Sequence, residues 1–101
     1  MEYRVQWSAK SVSDLGGHVA FQKKASIEAA QTLSLKVISA GMSLSSFPER
    51  FPEFPMLRNF PCTIRKYVVD GRYILLYGVI GDAVMIYRVL DARRKFDGLL
   101  S

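Results

Sequence analysis

A chain of 101 residues, half of them hydrophobic and about a quarter charged, is long enough for one domain (1-101) with a modest core. The single Cys62 excludes an internal disulfide, and together with the single His18 it cannot complete a zinc ligand set, so neither metal nor cofactor is expected. The longest apolar or glycine run, Tyr73 to Gly81, is far short of the ~20 residues of a membrane span. Met1-Glu2-Tyr3-Arg4 does not read as a secretory signal, so a reducing cytoplasm is the expected location.

The formal charge of +5 is unevenly placed. Residues 50 to 96 hold Arg50, Arg58, Arg65, Lys66, Arg72, Arg88, Arg93, Arg94 and Lys95 against Glu53, Asp70, Asp82 and Asp91. Such a one-sided balance suits a nucleic acid or an acidic protein partner, against the plainer alternative of a solubilising surface.

Along the chain, Tyr3, Val5 and Trp7 alternate with polar residues, as in a half-buried first strand. Val12, Leu15 and Val19 then recur at helical spacing, interrupted by Gly16-Gly17, whose small size would suit close packing against a neighbour. Ser26 can cap a second helix, Glu28 suits its first turn, and Ile27, Ala30, Leu33, Val37, Ala40 and Leu44 form its apolar stripe. Gly41 is the expected end of that helix, within a residue or two.

All four prolines follow a phenylalanine between Phe47 and Pro61. Proline prevents a helix or central strand from continuing, so this segment is expected to be a rigid connector. Beyond it, Thr63–Val69, Arg72–Ile80 and Ala83–Leu90 are rich in β-branched and aromatic residues, with Asp70-Gly71 and Gly81-Asp82 between them. These turns predict a three-strand meander. Two-residue turns without bulges would pair Val69 with Arg72, Tyr67 with Ile74, Arg65 with Leu76, Leu76 with Tyr87 and Ile74 with Val89. One face would then carry Arg65, Tyr67, Arg72, Ile74, Leu76 and Tyr87, and the other Leu75, Val79, Val84, Ile86 and Leu90. The helix hairpin is assigned to the second face. The first is left for a partner, a dimer or a covering loop.

The order of strand, helix hairpin, proline loop, meander and basic tail resembles the RelE/ParE superfamily, the toxins of bacterial type II toxin-antitoxin modules. The resemblance is densest in "IRKYVVDGRYILLYGVIGDAVMIYRVLDARRKF", through Gly71 to Tyr77, Arg88-Val89-Leu90 and Arg93-Arg94. It implies an α+β fold, with the N-terminal strand and two-helix hairpin packed on an antiparallel sheet that includes the meander, a role in growth arrest and plasmid stabilisation, and a cognate antitoxin. The resemblance is closer to the ParE-like branch, which poisons DNA gyrase, than to the RelE-like branch, which cuts mRNA on the ribosome.

For RNA cleavage the family uses an arginine on the middle meander strand, where this chain has Ile74. Arg72 stands two residues earlier, about 7 Å away by strand rise. A second family arginine matches Arg94, but the terminal tyrosine has no match and a frequent histidine is Asp91. If the chain is a nuclease, Arg94 and Arg72 are its candidate catalytic residues. Target or nucleic-acid contacts are expected at Arg65, Arg72, Arg93, Arg94 and Lys95. Antitoxin contacts are expected at Tyr67, Ile74, Leu76 and Tyr87. His18 reads as a surface or packing residue without a partner. The readings left open are a toxin acting through a protein target, a ribosome-dependent endoribonuclease, and an inactive or repurposed basic nucleic-acid-binding relative.

Overall fold

A computed structural model describes residues 2–55 and 60–93. Its elements are β1 (Arg4–Trp7), α1 (Ala9–Lys23), α2 (Ile27–Met42), two short 3₁₀ turns (Ser43–Ser45 and Pro48–Arg50), β2 (Ile64–Val69), β3 (Tyr73–Ile80) and β4 (Ala83–Asp91). The strands form one sheet in the order β1-β4-β3-β2. The meander is antiparallel, but β1 lies parallel to β4, so the sheet is mixed and not antiparallel throughout as expected. The α+β class and the helix hairpin are as expected. Arg94, Lys95 and Arg58 lie outside the described residues.

Each helix starts where a serine can cap it. Ser8 Oγ accepts from Ser11 N–H and Ser26 Oγ from Ala29 N–H, satisfying donors that the first helical turn leaves free. Leu33, Val37 and Ala40 of α2, with Leu44 just beyond it, are buried against Val69, Tyr73, Leu75, Tyr77, Val84, Ile86 and Val89. Ala30 is buried as well, whereas Ile27, expected in the same stripe, is exposed at the start of the helix. The helix ends at Met42, one residue past Gly41 and within the expected bounds, and Gly41 itself packs on β1. A Cβ there would lie 2.7 Å from Trp7 Cη2 and 3.0 Å from Ile86 Cδ1. Gly16 and Gly17 face open space, so the close packing expected of them is absent.

The register of β2 differs from the sequence-based expectation. Asp70 (φ 57°) and Gly71 (φ 67°) take the left-handed conformations of a type I′ turn, and Arg72 N–H returns to the Val69 carbonyl at 3.1 Å. The ladder nevertheless resumes with Val69 opposite Tyr73, leaving Arg72 as an extra residue. Tyr67 therefore faces Leu75 and Arg65 faces Tyr77. A one-residue slip exchanges the faces of the whole strand. The second turn behaves as expected, with Ile80 opposite Ala83 and Gly81 at φ 60°. A bulge then leaves Tyr87 unpaired between Tyr77↔Ile86 and Leu76↔Arg88, placing Ile74 opposite Leu90 rather than Val89.

These two irregularities re-sort the faces. Leu75, Val79, Val84 and Ile86 meet the helices as assigned, joined by Tyr67 and Val69. Leu90 moves to the other face, with Ile64, Ile74 and Leu76. That second face is covered by the chain's own Phe-Pro segment, of which Phe54 is buried and Phe60 packs beside it. The segment also runs along the β2 edge: Phe54 N–H bonds the Ile64 carbonyl at 2.7 Å and Lys66 N–H the Pro52 carbonyl at 2.9 Å. Edge strands need such protection, and proline is tolerated there because it lacks only an outward donor. Phe51 stacks on Tyr67 at 3.9 Å on the helix side, while Phe54 packs on the far side. The segment thus straddles β2 with one ring on each face.

Candidate functional site

At the turn end of the sheet, β4 delivers Asp91 beneath the extra turn residue Arg72. The Asp91 carboxylate is buried, 3.5 Å from Arg72 Nη2 and 3.6 Å from Arg93 Nε. It also accepts from Arg93 N–H at 2.9 Å. Ala92 N–H bonds the Arg72 carbonyl at 2.6 Å, tying the strand end to the turn. With its amide oxygen turned inward, Gln22 of α1 accepts from both terminal nitrogens of Arg72, at 2.9 and 3.0 Å. The guanidinium stands 5.0 Å from the Tyr73 ring centroid, within cation–π range. Among the described residues its Nε is buried without a hydrogen bond. Arg93 is exposed. A single buried carboxylate thus orients two arginines at the point where the basic tail begins.

The structure brings Arg72 and Arg93 together but not Arg65. Arg65 is four residues from Val69 along β2, roughly 14 Å. Its guanidinium donates to the Phe51 carbonyl at 2.8 Å and the Glu49 carbonyl at 3.2 Å, so it braces the Phe-Pro segment. The antitoxin set is divided too. Tyr67 lies on the helix face against Phe51, whereas Ile74 and Leu76 are buried beneath Phe54. Tyr87 meets Phe60 edge-on at 4.9 Å. The apolar surface expected on this face is therefore occupied.

Two tyrosines, Tyr77 and Tyr87, are poorly placed as acids. Tyr77 is wholly buried and donates its hydroxyl to the Pro48 carbonyl. Burial pushes its pKa up to about 12, although Arg65 and Arg50 pull in the opposite direction. Burial, followed by the Cys62 thiol beside it, likewise pushes Tyr87 up to about 12. His18 is not unpartnered: its Nε2 lies 2.8 Å from the Val89 carbonyl and its ring is tilted 55° against Tyr73.

Two residues that matter here escaped the sequence reading. Asp14 of α1 takes Arg88 in a two-point pair at 2.7 and 3.0 Å and accepts from Val89 N–H at 3.0 Å. The only signal in the sequence was an acid among the apolar positions of α1. In the sequence Asp91 is one acid of the basic half, standing where a histidine is frequent, with no sign that it holds Arg72.

A helix hairpin over a four-strand sheet, with arginines gathered where the last strand ends, is the architecture of small toxins of the RelE/ParE type. The chain belongs to the ParE toxin family: the family model described as "ParE toxin of type II toxin-antitoxin system, parDE" matches residues 5–96. Toxin RelE2 of Caulobacter vibrioides is 31% identical over 91 residues, which cover 90% of this chain and 97% of that protein. A solved structure described as the chromosomal ParDE TA system from P. aeruginosa superposes with a TM-score of 0.69 at 16% identity, covering 89% of this chain and 96% of that one.

Proposed function

We propose that this toxin arrests growth by binding a protein target, DNA gyrase or a similar enzyme, and not by cleaving mRNA on the ribosome. The observation that carries this reading is the commitment of Arg72 to the buried Asp91 carboxylate and to Gln22. RNA cleavage requires a cation free to meet charge that builds on phosphate and a group able to move a proton near neutral pH. At the family's arginine position stands Ile74, under Phe54, and both shifted tyrosines hold their protons to about pH 12. Arg93, Arg94 and Lys95 are proposed to contact the target, with Arg65 and Arg72 supporting the surface from beneath.

A cognate antitoxin neutralises the toxin in this reading. Tyr67 and Tyr87 lie on opposite faces, so one antitoxin segment reaches both only by passing around the β2 edge. Ile74 and Leu76 support that contact from below. Among the described residues no helix is long and apolar enough to cross a membrane, and the cytoplasm is the proposed place of action.

Expression of the chain alone is expected to stop bacterial growth, and co-expression of its operon neighbour to restore it. The purified toxin is expected to block gyrase supercoiling, with Arg93→Ala weakening the block. Primer extension revealing cleavage at fixed codon positions, lost in Arg94→Ala, would overturn the proposal in favour of the nuclease reading.

A further inference from the structure

Phe47 is difficult to explain by folding alone. Its backbone is left-handed (φ 47°, ψ 55°) and it precedes a proline, a place where glycine or asparagine fits and a bulky aromatic is strained. Its side chain is not buried in return, being 82% exposed. Yet the local chain is fixed firmly. Arg50 Nη1 donates to the carbonyls of Ser46, Phe47 and Ser43 at 2.6, 3.1 and 3.4 Å, and Nη2 to Ser43 Oγ at 3.0 Å. The ring is therefore presented to solvent from a rigid base.

We infer that Phe47 anchors a two-fold contact between two copies of this chain. Beside the ring lies a hollow of about 320 Å³, lined by Tyr3, Phe47, Pro48, Glu49 and Arg50. That is roughly twice the ~150 Å³ that accepts a benzene ring in an engineered core. A projecting ring next to a hollow that can take one is the arrangement an isologous interface requires, because each copy supplies both parts. The rim is self-complementary as well. Glu49 is exposed, and its one ion pair among the described residues is the loose 3.9 Å contact with Arg65. Arg50 spends its donors on neutral acceptors and makes no ion pair among the described residues. A two-fold axis through the hollow sets Glu49 of each copy against Arg50 of the other. A partner of strong single-signed charge would match only one of these two neighbours. The surface involved is small against the ~1,200–2,000 Å² of stable interfaces, so the dimer is weak and reversible. The inference is independent of how the toxin acts.

Sedimentation equilibrium of the purified chain, from low micromolar to near-millimolar concentration, tests it. The wild type is expected to move from monomer to dimer across that range. Phe47→Asn should weaken the dimer roughly thirty-fold or more, as expected for a buried aromatic anchor. Asparagine accepts the left-handed conformation, so the same variant should melt at an equal or higher temperature, separating lost contact from lost fold. Glu49→Arg should also weaken association, by like-charge contact across the axis. A wild type that stays monomeric throughout, or a Phe47→Asn or Glu49→Arg chain that associates as strongly as the wild type, overturns the inference.

Discussion

Asp14 and Arg88 show how one side-chain pair can hold two layers together. Both are mostly buried, and Asp14 also accepts the Val89 amide, so the helix is pinned to the strand at three points. Removing one partner of a buried pair leaves the other charge desolvated and alone. Asp14→Ala is expected to lower stability by about 3 kcal/mol, measured by urea unfolding, while the double variant Asp14→Ala/Arg88→Met should recover part of that loss. Tyr77 supplies a prediction in pH. Its folded pKa of about 12 lies above the ordinary value near 10, so the unfolded state loses its proton first as pH rises. Its contribution is therefore complete below pH ~10 and falls away between ~10 and ~12, by about 2–3 kcal/mol. Tyr77→Phe should flatten that alkaline loss. At neutral pH it should cost about 1 kcal/mol, because the Pro48 carbonyl loses its donor. Unfolding midpoints followed across the alkaline range would show both effects; an unchanged slope would exclude Tyr77 as its source.

The helices and turns divide by how local their determinants are. The second helix was legible because its cap, its first-turn acid and its apolar stripe all lie within its own residues. The exchanged faces of β2 were not legible, because Asp70-Gly71 does form the turn its sequence predicts. The extra residue is Arg72, which is held by Asp91, Gln22 and the Ala92 amide, partners distant in sequence. The Tyr87 bulge likewise has no local signature. Glycine illustrates the same division. Gly16 and Gly17 stand in open space in the middle of α1, so replacing each with alanine should stabilise by about 0.5–1 kcal/mol through lower unfolded-state entropy and better helix propensity. Gly41→Ala should instead destabilise by about 1–3 kcal/mol, since the new methyl collides with Trp7 and Ile86. Thermal melts of the three variants would separate the signs. A stabilised Gly41→Ala would mean that β1 is held less tightly than its packing suggests.

Across the whole molecule, the two-sided apolar meander posed the question of what covers its second face. The answer is internal: the segment that carries every proline wraps the edge strand, with Phe51 on one side and Phe54 on the other. The basic half of the chain could be read directly from composition. The division of its arginines between bracing (Arg65, Arg72, Arg88) and display (Arg93) could not, because burial depends on partners such as Asp14, Asp91 and the Phe51 carbonyl. The pairing of β1 with β4 carries a further consequence. Arg4 lies opposite Ala83 and Trp7 opposite Ile86, so the first strand to leave the ribosome finds its place only when the last has been made. Contacts this distant are slow to close, and a chain stopped short of residue 83 has no strand on which β1 can settle. Truncated products of such a toxin would be left as unfolded polypeptide for proteases, so its potency would be confined to copies whose translation ran to the end.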